Sequence, residues 1–241
     1  MNVQTTLLLI GLCATPASHA EKPIWAKQAV PLELKCGSPQ TISSPNRLAD
    51  VQILCTTRTN DDPSFSIRLN LSNGRHFGAP LRRGVHELLW SPDSKSFFVN
   101  GGETAIAGFF VSVYRLGEGK LEQLNITQAA QMDMVHSFPP CKALNRDASA
   151  CHRIEEDPQF NMSGIAWTAD SQAIEVFAEI PCSGSYGGIL CSVKGYKLSV
   201  PSGRIMERLS AALVKKQWQS AMAWQMTVPD APVYGKANET F

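Results

Sequence analysis

Several groups of residues in the chain have side chains suited to chemistry, and each demands a particular spacing. His136, Cys141, Cys151 and His152 offer two imidazoles and two sulfurs, the donor set of a zinc site. Structural zinc sites typically have about two to four residues between paired cysteines and about three to five between paired histidines, and this segment has neither pair. The acidic pairs Asp61-Asp62 and Glu155-Glu156 would serve as carboxylate or calcium ligands. Neither lies in an alternating oxygen-ligand loop, and both sit close to a proline, Pro63 and Pro158, as solvated turns do. Gly101-Gly102 and Gly187-Gly188 lack the following Lys-Ser/Thr and helix that hold a phosphate. Ser185 stands in the run Ser183-Gly184-Ser185-Tyr186-Gly187-Gly188, but a serine nucleophile needs a histidine to take its proton, and no histidine follows it. His86, Asp93, Asp170 and Glu175 remain as sequence-distant groups that a hydrolase or carbohydrate-active fold would have to gather. No catalytic, cofactor or metal residue is therefore assigned, and no cofactor is expected.

The elements that would position such groups belong to an ordinary globular chain. Its 241 residues are 44% hydrophobic and 18% charged, with a net charge of +1. That balance offers nothing to attract a nucleic acid or an anionic membrane, so neither is expected as a partner. Residues 1–20 carry no charged side chain, an apolar run from Leu7 to Leu12, and small residues at Ser18 and Ala20. They read as a secretory signal cleaved after Ala20, leaving a single domain over 21–241 in the periplasm or outside the cell. The apolar run is too short to span a bilayer, which needs about 20 residues, and no transmembrane segment is expected. Bulky Leu12 before Cys13 argues against lipidation.

Behind the signal lie six cysteines, Cys36, Cys55, Cys141, Cys151, Cys182 and Cys191. An even count in an exported chain points to disulfides, and proximity favours Cys36 with Cys55, Cys141 with Cys151, and Cys182 with Cys191. A catalytic thiolate is not expected, because each cysteine has a partner for oxidation.

The chain also repeats itself. His86–Gly102, HELLWSPDSKSFFVNGG, is echoed by Ser163–Ile180, SGIAWTADSQAIEVFAEI, and more faintly by Gln40–Thr57, QTISSPNRLADVQILCTT. The two clearer copies run an apolar strand into Trp90 or Trp167, then a polar turn, then a second apolar strand. Pro92 presets the turn backbone, and Asp93 or Asp170 can accept from nearby N–H groups. Two further strand-like stretches follow each copy, giving repeats of about 38–81, 86–124 and 163–209. WSPDSK and WTADSQ resemble the WSPDGK signature of bacterial WD40-like repeats in TolB-type β-propellers. The resemblance implies an all-β, mainly antiparallel protein: a partial or irregular propeller-like stack of about three four-stranded blades. Three blades are fewer than a ring needs, so edges would require a cover, another chain or self-association.

Two segments outside the repeats would supply a cover. An insertion of about 125–161 includes a short helix over Thr127–His136 and the Cys141–Cys151 loop. A C-terminal amphipathic helix over about 210–225 places Ala211, Val214, Trp218, Ala221 and Met222 on one face. The Ser183–Gly188 run resembles the GGSYGG elbow of prolyl oligopeptidases, but its place between Cys182 and Cys191 reads as a hairpin loop. Without a catalytic constellation, the expected role is an exported module that binds or scaffolds another envelope protein. One outcome is checkable directly: the oxidised mature protein should show no free thiol when titrated in denaturant, and two or more would break the three-disulfide reading.

Overall fold

The structure is a computed structural model that describes residues 22–57, 63–82, 84–102, 108–117, 119–137, 160–180, 192–224 and 226. The signal segment, Asp61-Asp62, Glu155-Glu156, the Ser183–Gly188 run, His152 and the cysteines beyond Cys55 lie outside the described residues.

A two-residue strand β1 (Val30–Pro31) comes first. Then come β2 (Thr41–Ser43), β3 (Ala49–Thr57), β4 (Pro63–Leu71) and β5 (His76–Leu81), which form one antiparallel sheet in chain order. A second sheet contains β6 (Val85–Trp90), β7 (Ser96–Gly102), β8 (Phe109–Leu116) and β9 (Leu121–Leu124), with β1 added at the free edge of β6. Helix α1 (Gln128–His136) follows. The third sheet is β10 (Asn161–Trp167), β11 (Ala173–Ile180), β12 (Ser192–Ser199) and β13 (Ile205–Ser210), and α2 (Ala211–Trp218) ends the regular structure among the described residues. None of the sheets closes on itself. The expected starts of the repeats at 38, 86 and 163 become 41, 85 and 161.

Period-two alternation decides which side chains are buried, because successive residues of a strand face opposite sides of its sheet. Val51, Ile53, Ile67 and Leu69 of the first sheet meet Leu88, Trp90, Phe97 and Tyr114 of the second in one apolar cluster. The opposite face of the second sheet, with Phe98 and Val113, packs on Ile174, Val176, Tyr196 and Leu198 of the third. Ile165, Phe177 and Leu209 on the far face of the third sheet meet Val214 and Trp218 of α2. A Cβ on Gly195 would collide with Val214 and would stand 2.6 Å from the Trp218 ring, so glycine lets the helix lie flat on the strand. The outer face of the first sheet is polar: Asp50, Gln52, Arg68, Asn70 and His76 alternate with the buried positions. Both ends of the stack are thus finished, one by polar residues and one by a helix.

The turns that open each sheet share one hydrogen-bond pattern. Ser91 Oγ donates to Asp93 Oδ1 (2.6 Å) and accepts from Ser96 N (3.0 Å), while Asp93 Oδ1 accepts from Lys95 N (3.0 Å). Thr168, Asp170, Gln172 and Ala173 repeat this at 2.6, 3.0 and 3.0 Å, and Ser44, Asn46, Leu48 and Ala49 at 2.9, 3.0 and 3.1 Å. The third turn residue is left-handed in every copy: φ is 59° at Arg47, 62° at Ser94 and 61° at Ser171. Glycine would relieve that strain, but the serines use their hydroxyls. Ser94 Oγ accepts from Asn46 N (3.1 Å), and Ser171 Oγ accepts from Asp93 N (3.0 Å). The tryptophans make a parallel link, Trp90 Nε1 donating to Ile42 O (3.3 Å) and Trp167 Nε1 to Leu89 O (3.1 Å).

The helices differ from expectation at one end. The first begins at Gln128 rather than Thr127, and is held by Asp133, which accepts from Arg208 Nε (2.7 Å), Tyr196 Oη (2.9 Å) and Lys194 Nζ (3.3 Å). Burial opposes the charge of Asp133, yet these donors hold its carboxyl below the usual carboxylate range. The C-terminal helix expected over 210–225 stops at Trp218, with Ser210 as its N-cap. Ala221 and Met222 continue the apolar pattern for another reason: they pair with the N-terminal segment through Lys27 N to Ala221 O (2.8 Å) and an Ala26–Met222 bridge. Cys36 and Cys55 form the expected disulfide. Trp90 is only 8% exposed. Trp90→Ala should lower stability by about 3–5 kcal/mol in urea unfolding, whereas a loss below about 1 kcal/mol would show that the indole is not a link between the sheets.

Candidate functional site

The centre of the molecule is a buried carboxylate. Glu87 in β6 is fully buried, and its oxygens accept from the backbone N–H groups of Ile24 (2.7 Å), Trp25 (3.1 Å) and Ala26 (2.7 Å) and from Asn100 Nδ2 (2.8 Å). Asn100, paired with it across β6 and β7, also donates to Gly164 O (2.8 Å) and accepts from Gly164 N (2.7 Å) in β10. One acidic residue and its neighbour therefore tie the N-terminal segment, the second sheet and the third together. Such charge-assisted bonds are each worth about 1.5–3 kcal/mol.

This knot sets Trp25 over the end of the sheets, where it meets Phe109 edge to face at 5.3 Å. The C-terminal segment, paired with the N-terminal one through Ala223 N to Trp25 O (2.8 Å), places Trp224 edge to face on Phe177 at 5.5 Å. The four rings, with Ser163 and Glu179, line a cavity of about 360 Å³. Glu179 closes one side; its Oε2 accepts from Asn161 Nδ2 (3.2 Å), whose Oδ1 accepts from Gly108 N (2.9 Å) and Phe109 N (3.3 Å). Among the described residues no lysine or arginine pairs with Glu179. The connections β3–β4, β7–β8 and β11–β12 leave from this end of the sheets, opposite the tight turns at Asn46, Asp93 and Asp170.

The structure does not bring the acid–base candidates together. Asp93 and Asp170 are committed to their own turns, and hydrogen bonds from Thr168 and Gln172 hold the Asp170 carboxyl below its ordinary range. His86 lies at the far end of β6 from Asp93, buried beside Phe110, with Nδ1 3.2 Å from Gly84 O and Nε2 without a partner among the described residues. A Cβ on Gly101 would strike Phe110 and His86, so the Gly101 position makes room for the imidazole rather than for a phosphate. Glu175 faces α2 on the outer side of the third sheet, where burial pushes its carboxyl up. Among the described residues no three His, Cys, Asp or Glu side chains gather as a metal site, and His136 ends α1 far along the chain from His86. No helix among them is long and apolar enough to cross a membrane.

Trp90, Pro92, Asp93, Trp167 and Asp170, singled out in the sequence, lie at or beside the tight turns, and none of them lines the pocket. Trp25, Glu87 and Trp224 belong to no periodic pattern. One signal was present: Phe177 stands between Glu175 and Glu179 on the polar face of β11, an aromatic where alternation calls for a hydrophilic residue. No family model, curated protein or solved structure shows significant similarity to the chain.

Burial lowers the pKa of His86, which folds in its neutral form. The unfolded chain then binds one more proton below the ordinary imidazole value of about 6.5, so stability should fall as pH drops through that value toward the lowered one. The urea midpoint of the wild type should decline between about pH 7.5 and 5, and His86→Gln should flatten that decline. An equal pH dependence in both proteins would assign it to other groups.

Proposed function

We propose that the protein is an exported, non-enzymatic binding module, a stack of three propeller-like blades of the WD40-like type, that holds another protein of the cell envelope. The observation that carries this reading is the pocket of Trp25, Phe109, Phe177 and Trp224 at the end of the sheets from which the longer connections leave. Aromatic side chains anchored on a rigid scaffold are the residues that dominate protein recognition. The separation of His86, Asp93, Asp170 and Glu175 supports binding over hydrolysis. The Cys36–Cys55 disulfide is compatible with life outside the cytoplasm. The finished faces at both ends of the stack support a single chain that needs no second copy to complete it, since the exposed large apolar residues, such as Leu48, Met132 and Met206, are scattered.

The test is cross-linked capture from the protein's own envelope extract, comparing the wild type with Trp224→Ala and with the distant surface change Leu48→Ala. Trp224→Ala should weaken recovery of a defined partner about tenfold or more, the loss typical of a truncated aromatic anchor. Leu48→Ala should leave it unchanged. Equal recovery by all three would move the interface elsewhere, and no macromolecule captured by any of them would overturn the reading.

A further inference from the structure

We propose that the aromatic pocket receives a lysine side chain of the partner polypeptide. This rests on the binding reading above and names the chemistry of the group that enters. Two edge-to-face ring pairs, Trp25–Phe109 at 5.3 Å and Phe177–Trp224 at 5.5 Å, form the walls. Trp25 and Phe177 are buried, so half-buried Phe109 and Trp224 offer the accessible aromatic surface, and aromatic rings attract a cation. Among the described residues Glu179 is the one ionisable side chain lining the cavity, and its only partner among them is the amide of Asn161. An anionic ligand would be repelled, and a neutral apolar one would strip water from a carboxylate without replacing it. A cation on an aliphatic stem satisfies both walls and floor.

The choice of lysine follows from the oxygens available. A guanidinium binds a carboxylate best through both oxygens at once. Glu179 Oε2 is already engaged by Asn161, so Oε1 alone is offered, which suits the point charge of an ammonium. Among the described residues the polar lining is Glu179 and Ser163, enough to seat the tip of a side chain whose backbone stays outside.

The test uses the mature, oxidised protein and three probes, Nα-acetyl-lysine N-methylamide, its norleucine counterpart and choline, followed by saturation-transfer NMR and tryptophan fluorescence. The lysine probe should bind at least about tenfold more tightly than norleucine, a gain within the range for a desolvated cation on aromatic faces. Glu179→Gln, shown to be folded by its unfolding midpoint, should erase that preference. Equal binding of lysine and norleucine, or no binding of the lysine probe at about 50 mM, well above the affinity a ligand of this size can reach, would overturn the proposal. Tighter binding of choline would overturn it in favour of a small quaternary cation. If the lysine probe fails while capture still depends on Trp224, only the ligand assignment falls. If it binds to a protein that captures nothing, the partner reading falls instead.

Discussion

A carboxylate with no access to water must be surrounded by donors, and in this protein that requirement organises everything near the middle of the chain. Glu87 draws three consecutive backbone N–H groups of the N-terminal segment onto β6, and Asn100 beside it clasps Gly164 of β10. Removing the carboxylate would leave the N–H groups of Trp25 and Ala26 buried and unpaired, each at a cost of about 1–3 kcal/mol. The segment it holds then pairs with Ala221, Met222 and Ala223, so the C-terminal residues find their place through the N-terminal ones. The pocket is a product of this order: Trp25 is seated by Glu87, Trp224 by its neighbourhood with Trp25, and Phe109, Ser163, Phe177, Glu179 and Val193 by the sheets themselves.

The division between what could and could not be read from the sequence follows the same line. Local rules acted where neighbours in sequence are neighbours in space. Alternating apolar residues, with Pro92, Asp93 and Asp170 in the turns, marked three antiparallel sheets to within a few residues but not β1 as a fifth strand of the second, and Cys36 and Cys55, paired by proximity, are joined. Reading failed where a contact spans the chain. Glu87 looked like one more charged residue in a strand, because nothing within ten residues of it announces the three N–H groups sixty residues away. Ala221 and Met222 continued a helical pattern in sequence, but their burial comes from a β-type pairing with Ala26. His86, offered as a catalytic base, is instead enclosed beside Phe110 where Gly101 leaves space.

The links between turns run in one direction. Each tryptophan donates to the sheet before it, and each left-handed serine accepts from the turn before it. The first copy has Ser43 where the others have Trp90 and Trp167, and Arg47 where they have Ser94 and Ser171. Among the described residues no sheet packs on the other side of the first one, and those two positions make no such link. The groups that accept these links are backbone atoms, Ile42 O and Leu89 O, which any residue supplies. The middle repeat thus carries a complete socket on one side and a complete plug on the other. The row of turns therefore has a sense of direction, set by which neighbour donates and which accepts.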